Sequence, residues 1–445
     1  EGALDAQLGR KPKALAMNRA AVDAGFTYAA EHLPPAPFRV ERRDLTSGKI
    51  LIDGNTASAL GAMFGGVTFV SWYPITPSSS LAEALSGYLE RYRRDPATGK
   101  STFAIVQAED EIAAIGMVLG ASWAGARAMT TTSGPGLSLM TEFTGYAYYA
   151  EIPAVIWDIQ RIGPSTGLPT RTSQADLLSV AFLSHGDTKQ VMLFPSSVGE
   201  CFEDGMHAFD LAERLQTPVF VLSDLDLAMN VWMAEPFVYP EKPWDRGKVL
   251  SAEDLDRIGK FERYRDVDGD GIPYRTIPGT KHPLAAYFTR GSGHDEAARY
   301  TESSEAYPRV MDRLAKKWET ARVWVPQPAV EEPKGASVAI VSYGSSRWAV
   351  EEARERLRAD GLATSSLRIR AYPFTAGVGA FLKRYERVYV VEQNRDGQMA
   401  ALLRQEYPET AARLRPVLHY DGLPLAASTV AEKIQAGERE EVSVR

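Results

Sequence analysis

Cysteine is almost absent from the sequence, since Cys201 is the single one among 445 residues. An iron-sulfur cluster of the 4Fe-4S type is held by four thiolates, so this chain cannot hold such a cluster alone, and it cannot form an internal disulfide. The six histidines are scattered without the short spacings of metal ligands. We therefore expect no transition-metal site built from this chain alone.

The sequence also lacks an excess of basic residues and long apolar runs. Its formal net charge is -7 and its pI about 5.6, whereas a chain that binds nucleic acid needs a basic surface for the phosphates. No apolar run reaches the length that a bilayer requires. We expect no nucleic-acid or membrane partner and a cytoplasmic location. Because the chain starts at Glu1 without a signal-like segment, the sequence indicates a processed, split or trimmed N-terminus.

Short apolar stretches alternate with longer helical stretches through most of the chain. This alternation predicts an α/β fold with a doubly wound parallel sheet that is covered on both faces. The Pro-rich segment VPQPAVEEPKG separates a smaller α/β region from the larger one. The predicted regions are an N-terminal helix and linker (1–45), a first α/β domain (46–238), an extended arm and linker (239–335) and a second α/β domain (336–445).

An acid-rich turn, AEDE, opens the helix that follows the third strand of the first domain. Acidic residues at a helix N-terminus complement the helix dipole, which explains at least two of the three. Glu111, however, shares a helix face with Ile115 and Val118. This face carries its carboxyl group toward buried surface, where ionisation is costly. A carboxyl group held in this way can exchange a proton with a bound ring nitrogen.

Three further motifs follow predicted strand ends, which is where parallel α/β sheets bind ligands. In YPITPSS (73–79), two prolines restrict the backbone on either side of Thr76, although a well-made strand-to-helix turn explains this motif equally well. In QRIGPSTGLPT (160–170), Arg161 offers a planar guanidinium suited to a carboxylate. In TSGPG (132–136), the turn begins a helix, an arrangement that is also typical of phosphate-binding helix N-termini.

Together these motifs resemble those of one family. The helical E-x-A-A followed by T-S-G-P-G is similar to the pyrimidine-binding domain of thiamine-diphosphate enzymes. With YPITPSS and QRIGPSTGLPT added, the chain from about residue 46 onward resembles the alpha subunit of 2-oxoacid:ferredoxin oxidoreductases, most of all the 2-oxoglutarate type. In thiamine enzymes a glutamate bonds N1′ of the aminopyrimidine and promotes loss of the thiazolium C2 proton, and Glu111 is the matching residue. The second α/β domain resembles the C-terminal domain of transketolase.

The resemblance implies roles for residues of the other loops. Thr76 and Arg161 match the residues that bind the C1 carboxylate of the substrate. Arg171 is a further candidate for the pocket, although a solvated loop charge is the favoured interpretation there. The implied remainder of the acid-binding pocket is Ser165 and Thr166. The implied neighbours of the cofactor's aminopyrimidine, besides Glu111, are Ile75, Ser133, Gly134 and Pro135.

The half of the site that binds the diphosphate is incomplete in this chain. Thiamine enzymes hold the diphosphate and Mg²⁺ with a GDG motif followed further along by Asn. Residues 269–271 read GDG, but no Asn occurs between them and Asn394. The surrounding DVDGDG starts like an EF-hand loop, yet Ile277 stands at position twelve, where Glu is needed. We favour an Asp/Gly turn over a partial Ca²⁺ or Mg²⁺ site, whose weak candidate ligands are Asp266, Asp268 and Asp270.

The resemblance therefore implies partners. A beta subunit is expected to carry the diphosphate site, Mg²⁺ and a 4Fe-4S cluster in an α₂β₂ assembly, with ferredoxin as electron partner and coenzyme A as co-substrate. Residues 1–45 are predicted to be the end of a gamma-like domain. The segment EQNRDGQ (392–398) is predicted to form a subunit interface.

The implied reaction is the oxidative decarboxylation of 2-oxoglutarate with transfer of the acyl group to coenzyme A, or the reverse carboxylation of succinyl-CoA. Two alternatives stay open. One is the same chemistry on pyruvate or a branched-chain 2-oxoacid, and the other is a non-catalytic assembly subunit. The incomplete diphosphate motif disfavours a third, a self-sufficient thiamine enzyme.

Overall fold

The structure is a computed structural model that describes residues 2–241 and 244–444. The chain forms two compact units, Glu1–Gly48 and Lys49–Arg445. Among the described residues, no helix is both long and apolar enough to cross a membrane.

The first unit consists of two helices, α1 (Gly2–Leu8) and α2 (Pro12–His32). Pro12 stands in the first turn of α2, where its missing N–H is not needed, and the alanine-rich sequence that follows favours a helix. Asp5 and Arg19 join the two helices through an ion pair of 2.7 Å. None of residues 2–48 is buried, so this unit has no hydrophobic core of its own.

The second unit alternates strands and helices. Its first part contains β1 (Ile50–Asp53), α3 (Gly54–Phe64), β2 (Phe69–Trp72), α4 (Ser79–Tyr92), β3 (Ala104–Gln107), α5 (Glu111–Trp123), β4 (Ala128–Thr132), α6 (Gly134–Leu139), α7 (Thr141–Ala150), β5 (Ala154–Gln160), α8 (Leu177–Ala181), β6 (Val191–Leu193), α9 (Val198–Leu215), β7 (Pro218–Asp224), α10 (Leu225–Met229) and β8 (Val231–Ala234). The remainder contains α11 (Ala252–Ile258), α12 (Ala306–Trp324), β9 (Ala329–Glu331), β10 (Val338–Tyr343), α13 (Ser346–Ala359), β11 (Thr364–Ile369), β12 (Ala371–Tyr372), α14 (Ala376–Leu382), β13 (Val388–Glu392), α15 (Gln398–Glu406), a 3-10 helix (Pro408–Arg413), β14 (Leu414–Leu418) and α16 (Ala427–Val444).

The larger sheet of this unit has seven strands in the order β12-β6-β7-β5-β4-β2-β3. Neighbouring strands are parallel except β12, which runs antiparallel to β6. The central strands β4, β5 and β7 are buried along their whole length, as expected for a parallel sheet that helices cover on both faces. The predicted α/β class with a doubly wound parallel sheet is confirmed.

A smaller sheet has five strands in the order β14-β13-β10-β11-β9, parallel except for β9. It forms the core of the predicted smaller α/β region together with α13 and α16, whose apolar faces pack on it. A short antiparallel pair, β1 and β8, completes the sheets of the described residues. The domain boundaries given above stay predictions.

One predicted strand, SSLRIRA, is divided between the two sheets. Its first part is β11 of the smaller sheet, whereas β12 pairs with Met192 and Leu193 of β6 in the larger one. The backbone N–H of Phe194 also donates to the carbonyl of Arg370, at 2.9 Å. Strand β6 has only three residues, and its outer edge needs hydrogen-bond partners. The chain supplies them by crossing from one sheet to the other.

Candidate active site

Four loops meet at the carboxyl edge of the larger sheet. They follow β2, β3, β4 and β5, which are neighbours in the order β5-β4-β2-β3. The loop after β2 carries YPITPSS, and the loop after β3 carries Glu111. The loop after β4 carries TSGPG, and the loop after β5 carries QRIGPSTG. Because parallel strands end on the same side of a sheet, the folding of this sheet alone gathers the four motifs into one place.

Glu111 is the first residue of α5 and is buried, with 7% of its surface exposed. The preceding Asp110 caps the helix, since its side chain accepts a hydrogen bond of 2.6 Å from the N–H of Ala113. Glu111 is thus not needed as a cap, and it lies on the buried face with Ile115 and Val118, as predicted. Among the described residues, no hydrogen bond or ion pair involves its carboxyl group. This leaves a buried carboxyl group available to a ligand.

The TSGPG turn packs directly on Glu111. A Cβ atom added at Gly136 would lie 2.7 Å from Cγ of Glu111 and 2.1 Å from Oγ1 of Thr132. Only glycine therefore fits this position. In the same turn, Ser133 is fully buried with a hydroxyl that has no partner among the described residues, and Pro135 lies in the first turn of α6.

Two buried polar contacts fix the position of the loop after β2. Asn55, on α3, donates to the carbonyl of Pro77 at 2.9 Å. The hydroxyl of Ser78 lies 2.8 Å from that of Thr131 on β4. These contacts leave Thr76 exposed and Ile75 partly buried at the end of the strand. Asn55 was not predicted, because a single amide side chain in a Gly/Ala-rich helix gives no periodic signal.

Arg161 lies beside this loop and is buried, with 7% of its surface exposed. Its Nη1 donates to the carbonyl of Thr76 at 2.7 Å, so the structure brings together the two predicted carboxylate-binding residues. Its buried Nε has no partner among the described residues. Burial lowers the pKa of Arg161, and the carboxyl group of Asp176 opposes that shift. A buried cation with a free donor is suited to an anionic ligand.

The structure does not join the other loop residues to Arg161. Ser165 and Thr166 are exposed, and in the described part of the chain neither side chain is hydrogen-bonded to Arg161 or Thr76. The loop is nevertheless tight, because Leu168 N–H donates to the carbonyl of Ile162 at 3.0 Å. Arg171 is exposed as well, in agreement with a solvated loop charge.

Two acidic residues at the same edge were not predicted. Asp158 is completely buried in β5, next to Thr132 in the register of β4, and Asp176 precedes α8. A Cβ atom added at Gly134 would lie 2.8 Å from both carboxyl oxygens of Asp176, so Asp176 packs on the TSGPG turn. One signal was present in the sequence, namely an acidic residue inside the otherwise apolar strand PAVIWDIQ.

The segment EQNRDGQ contacts the 174–178 loop of the same chain. Gln174 N–H donates to the carbonyl of Gln393 at 2.8 Å, and Asn394 Nδ2 donates to the carbonyl of Gln174 at 3.0 Å. Gln398 Nε2 donates to the carbonyl of Ala175 at 2.7 Å. The second α/β region thereby fixes the loop that carries Asp176. The predicted contact with another subunit stays a prediction.

The DVDGDG loop is occupied by lysine side chains. Lys248 Nζ lies 2.7 Å from Asp268 and 2.8 Å from Asp270, and Lys316 pairs with Asp266 at 3.2 Å. Among the described residues, no group of three or more His, Cys, Asp or Glu is placed to hold a metal ion. This arrangement favours the Asp/Gly turn over the weak metal-site alternative.

Residues 60–235 match the family described as "Pyruvate flavodoxin/ferredoxin oxidoreductase, thiamine diP-bdg". This stretch contains all four loops of the candidate site. The fold and this family match thus define a thiamine-diphosphate-binding α/β domain.

Longer matches extend over most of the chain. It is 37% identical over 461 residues to "2-oxoacid:ferredoxin oxidoreductase 2, subunit alpha" of Aeropyrum pernix, covering 98% of this chain and 68% of the relative. It is 37% identical over 352 residues to "2-oxoglutarate synthase subunit KorA" of Methanothermobacter thermautotrophicus, covering 78% of this chain and 88% of the relative. The chain belongs to the family of 2-oxoacid:ferredoxin oxidoreductase alpha subunits, which are subunits of enzymes.

A solved structure is similar over nearly the whole chain. It is "2-oxoglutarate:ferredoxin oxidoreductase from Magnetococcus marinus with 2-oxoglutarate, coenzyme A and succinyl-CoA bound", which is 33% identical with a TM-score of 0.86 and covers 97% of this chain and 73% of that chain. The chain spans 62% of the length of the alpha subunit of Saccharolobus solfataricus. The name "subunit alpha" implies that other subunits accompany these relatives.

Proposed function

We propose that this chain is the alpha subunit of a 2-oxoglutarate:ferredoxin oxidoreductase and supplies the half of the active site that holds the aminopyrimidine and the substrate carboxylate. The observation that carries the proposal is the presence, at one sheet edge, of the buried and unpartnered Glu111 carboxyl group and the buried Arg161 guanidinium. Thiamine-dependent chemistry on a 2-oxoacid requires a carboxyl group that bonds a ring nitrogen of the cofactor. It also requires a cation that binds the carboxylate of the substrate.

The residues present fit an aminopyrimidine ring. Gly136 lets the backbone approach Glu111, and the orphan hydroxyl of Ser133 lies in the same turn. Thiamine diphosphate, when bound, supplies the electron sink for decarboxylation. Ile75, Ser133, Gly134 and Pro135 would hold the ring beside Glu111.

The chain's own residues then have two tasks. Glu111 shares a proton with the pyrimidine ring nitrogen through its carboxyl group, which is buried and has no other partner among the described residues. Arg161 and Thr76 bind the C1 carboxylate of the acid and orient its keto group. Ser165 and Thr166, which lie on the adjacent loop, are assigned to the remainder of the acid pocket.

For the substrate we favour 2-oxoglutarate. The supporting facts are the name of the Methanothermobacter relative and the 2-oxoglutarate bound in the Magnetococcus structure. Pyruvate or a branched-chain 2-oxoacid is the alternative, because the Aeropyrum relative carries the general name 2-oxoacid.

The remaining parts of the reaction are assigned to partners. A beta subunit carries the diphosphate site, Mg²⁺ and a 4Fe-4S cluster in an α₂β₂ complex, ferredoxin takes or gives the electrons, and coenzyme A takes the acyl group. The shortage of cysteine in this chain supports this division, since one thiol cannot hold a cluster. In this proposal the complex is cytoplasmic, residues 46–238 are the pyrimidine-binding domain, and residues 1–45 end a gamma-like domain.

The test is purification of the complex from its native source. Bound thiamine diphosphate and iron are quantified, and reduction of methyl viologen is measured with coenzyme A and each of 2-oxoglutarate, pyruvate and 2-oxoisovalerate. We expect a partner chain that carries iron, bound cofactor, and the highest kcat/KM with 2-oxoglutarate. A preference for another acid would select the alternative substrate, and a lone chain without cofactor or iron would favour the assembly subunit.

A further inference from the structure

Two carboxyl groups at the carboxyl edge of the larger sheet, those of Asp158 and Asp176, have no role in the proposed function. Asp158 lies in β5 between Thr132 of β4 and Leu222 of β7, which carry no charge. It is completely buried, and neither of its carboxyl oxygens accepts a hydrogen bond from an N–H or hydroxyl group among the described residues. A buried ionised carboxylate without donors is strongly unfavourable, so this group needs either a proton or a counter-charge.

The neighbour of Asp158 is another acid. The side chain of Asp176 interacts with that of Asp158 through charge and a hydrogen bond, whereas the guanidinium of Arg161 interacts electrostatically with Asp176. The backbone N–H of Asp176 donates to Oε1 of Gln160 at 3.1 Å. Its two carboxyl oxygens lie against Gly134 of the TSGPG turn. Asp176 therefore lies between the TSGPG turn, Asp158 and Arg161.

The charges around the pair support a shared proton. Burial, followed by the charge of Asp176, raises the pKa of Asp158 well above its usual range. Burial raises the pKa of Asp176 to about 6, although the guanidinium of Arg161 opposes this shift. Asp176 also acts electrostatically on the phenol of Tyr343, whose pKa burial raises, so that phenol stays neutral over the whole range of pH considered below. Two carboxyl groups in such proximity hold one proton between them at neutral pH.

We infer that the Asp158–Asp176 pair is a positioning element that sets how much of the Arg161 charge is available to the carboxylate of the 2-oxoacid. This inference rests on the proposed function, in which Arg161 binds that carboxylate. With one proton, the pair carries a negative charge that attracts Arg161 and repels the substrate. With two protons, the pair is neutral, and the guanidinium is free to bind the acid.

The inference predicts a particular pH dependence of KM. As pH rises through the pKa of Asp176, about 6, the pair becomes negative and KM for the 2-oxoacid rises. We expect a rise of roughly threefold to tenfold between about pH 5 and pH 7.5, the size of effect of one nearby charge in a partly solvated site. Asp176→Asn removes the charge, so its KM should be low and independent of pH over this range.

The experiment measures KM and kcat of the purified complex across this pH range for the wild type, Asp176→Asn and Asp226→Asn. Asp226 is the matched control, because its pKa is also about 6, whereas the carboxylate that acts on Arg161 is that of Asp176. We expect the Asp226→Asn complex to keep the wild-type pH dependence of KM. If Asp176→Asn also kept it, with turnover intact, this inference would be wrong while the proposed function stood. Absence of turnover of any 2-oxoacid by the wild type would overturn both.

A second readout needs no substrate. The infrared carbonyl-stretch band of protonated carboxyl groups, recorded at neutral pH in H₂O and D₂O, should lose intensity in Asp158→Asn relative to the wild type. An unchanged band would show that Asp158 holds no proton and would overturn the shared-proton arrangement. A structural role alone would not produce the loss of both the band and the pH dependence of KM.

Discussion

Two clusters of buried charge in this chain are built in opposite ways. At the junction of α7 and α12, the carboxylate of Glu151, 1% exposed, accepts hydrogen bonds from both Nη atoms of Arg313, at 3.0 and 2.6 Å, and from Lys317 at 2.8 Å. At the carboxyl edge of the larger sheet, by contrast, Ser133 Oγ and Nε of Arg161 have no partner among the described residues.

The difference is the one expected between a cluster that stabilises the fold and, under the proposed function, one that binds a ligand. Burial would raise the pKa of Glu151, but Arg313 and Lys317 together hold it below its usual range. Every oxygen of that carboxylate is satisfied by the protein itself. At the sheet edge the polar groups are buried at a cost to stability, which is expected where a cofactor and a substrate complete the hydrogen bonds.

The largest effect on activity is expected from Glu111→Gln. The amide keeps the shape of the side chain but cannot share an acidic proton with the ring nitrogen. We expect kcat to fall roughly 10²- to 10⁴-fold, the usual contribution of an acid–base group, while the complex still assembles in size-exclusion chromatography. Glu109→Gln, at an exposed neighbouring position, should keep normal turnover. Near-normal turnover of Glu111→Gln would show that Glu111 does not exchange a proton with the ring nitrogen.

Glu151→Ala tests the other side of the comparison. It leaves Arg313 and Lys317 buried without their counter-charge, so we expect a loss of about 3–5 kcal/mol in the free energy of unfolding. The midpoint of urea unfolding measures this loss. Glu305→Ala serves as the control, because Glu305 is exposed and precedes α12, the helix that carries Arg313 and Lys317. The folded fraction should keep its kcat. A large loss of kcat at unchanged stability would assign Glu151 to the active site instead.

The Glu151 contribution also depends on pH, with a definite sign. Because the pKa of Glu151 is lowered in the folded state, its stabilisation is complete above the unfolded pKa and is lost as pH falls below it. The difference in unfolding midpoint between the wild type and Glu151→Gln should therefore shrink in acid, below about pH 4.5. A difference that grew in acid would contradict the assigned ion pairs.

Arg161→Ala removes the cation at the sheet edge. Loss of a charge-assisted hydrogen bond is worth about 1.5–3 kcal/mol, so we expect kcat/KM for the 2-oxoacid to fall about 10- to 100-fold, mainly through KM. Arg358→Ala, an exposed position on α13, is the control for loss of one positive charge. An unchanged kcat/KM in Arg161→Ala would exclude the carboxylate contact.

The smallest effects are expected from a pair of glycine substitutions near Glu111. A methyl group at Gly136 would collide with Thr132 and Glu111, whereas one at Gly120, on the same helix as Glu111, meets nothing within 4 Å in the chain. We expect Gly136→Ala to lower kcat by roughly tenfold through displacement of the carboxyl group, and Gly120→Ala to raise stability by up to about 1 kcal/mol. Equal kcat in the two variants would show that the fit of the turn against Glu111 does not matter.

The sequence predicted the parts of the molecule that depend on local patterns. The buried face of Glu111 followed from helical spacing, and the gathering of the loops followed from strand ends in a parallel sheet. Asp158 and Asp176 were missed because they meet only after β5 and the loop beyond it fold back together. The contact of Gln174 with Gln393, 219 residues apart, was also out of reach, because uncharged polar side chains leave no periodic signal.

The division of one strand between two sheets limits how this protein can be taken apart. A break in the linker before β10 would leave the larger sheet without β12, and the short strand β6 would then present open backbone groups along its edge. The two α/β regions are thus not independent modules, and the larger one is expected to aggregate more readily when it is separated from the smaller one. Two fragments could reassemble only by restoring both the pairing of β12 with β6 and the contacts of residues 392–398 with the 174–178 loop.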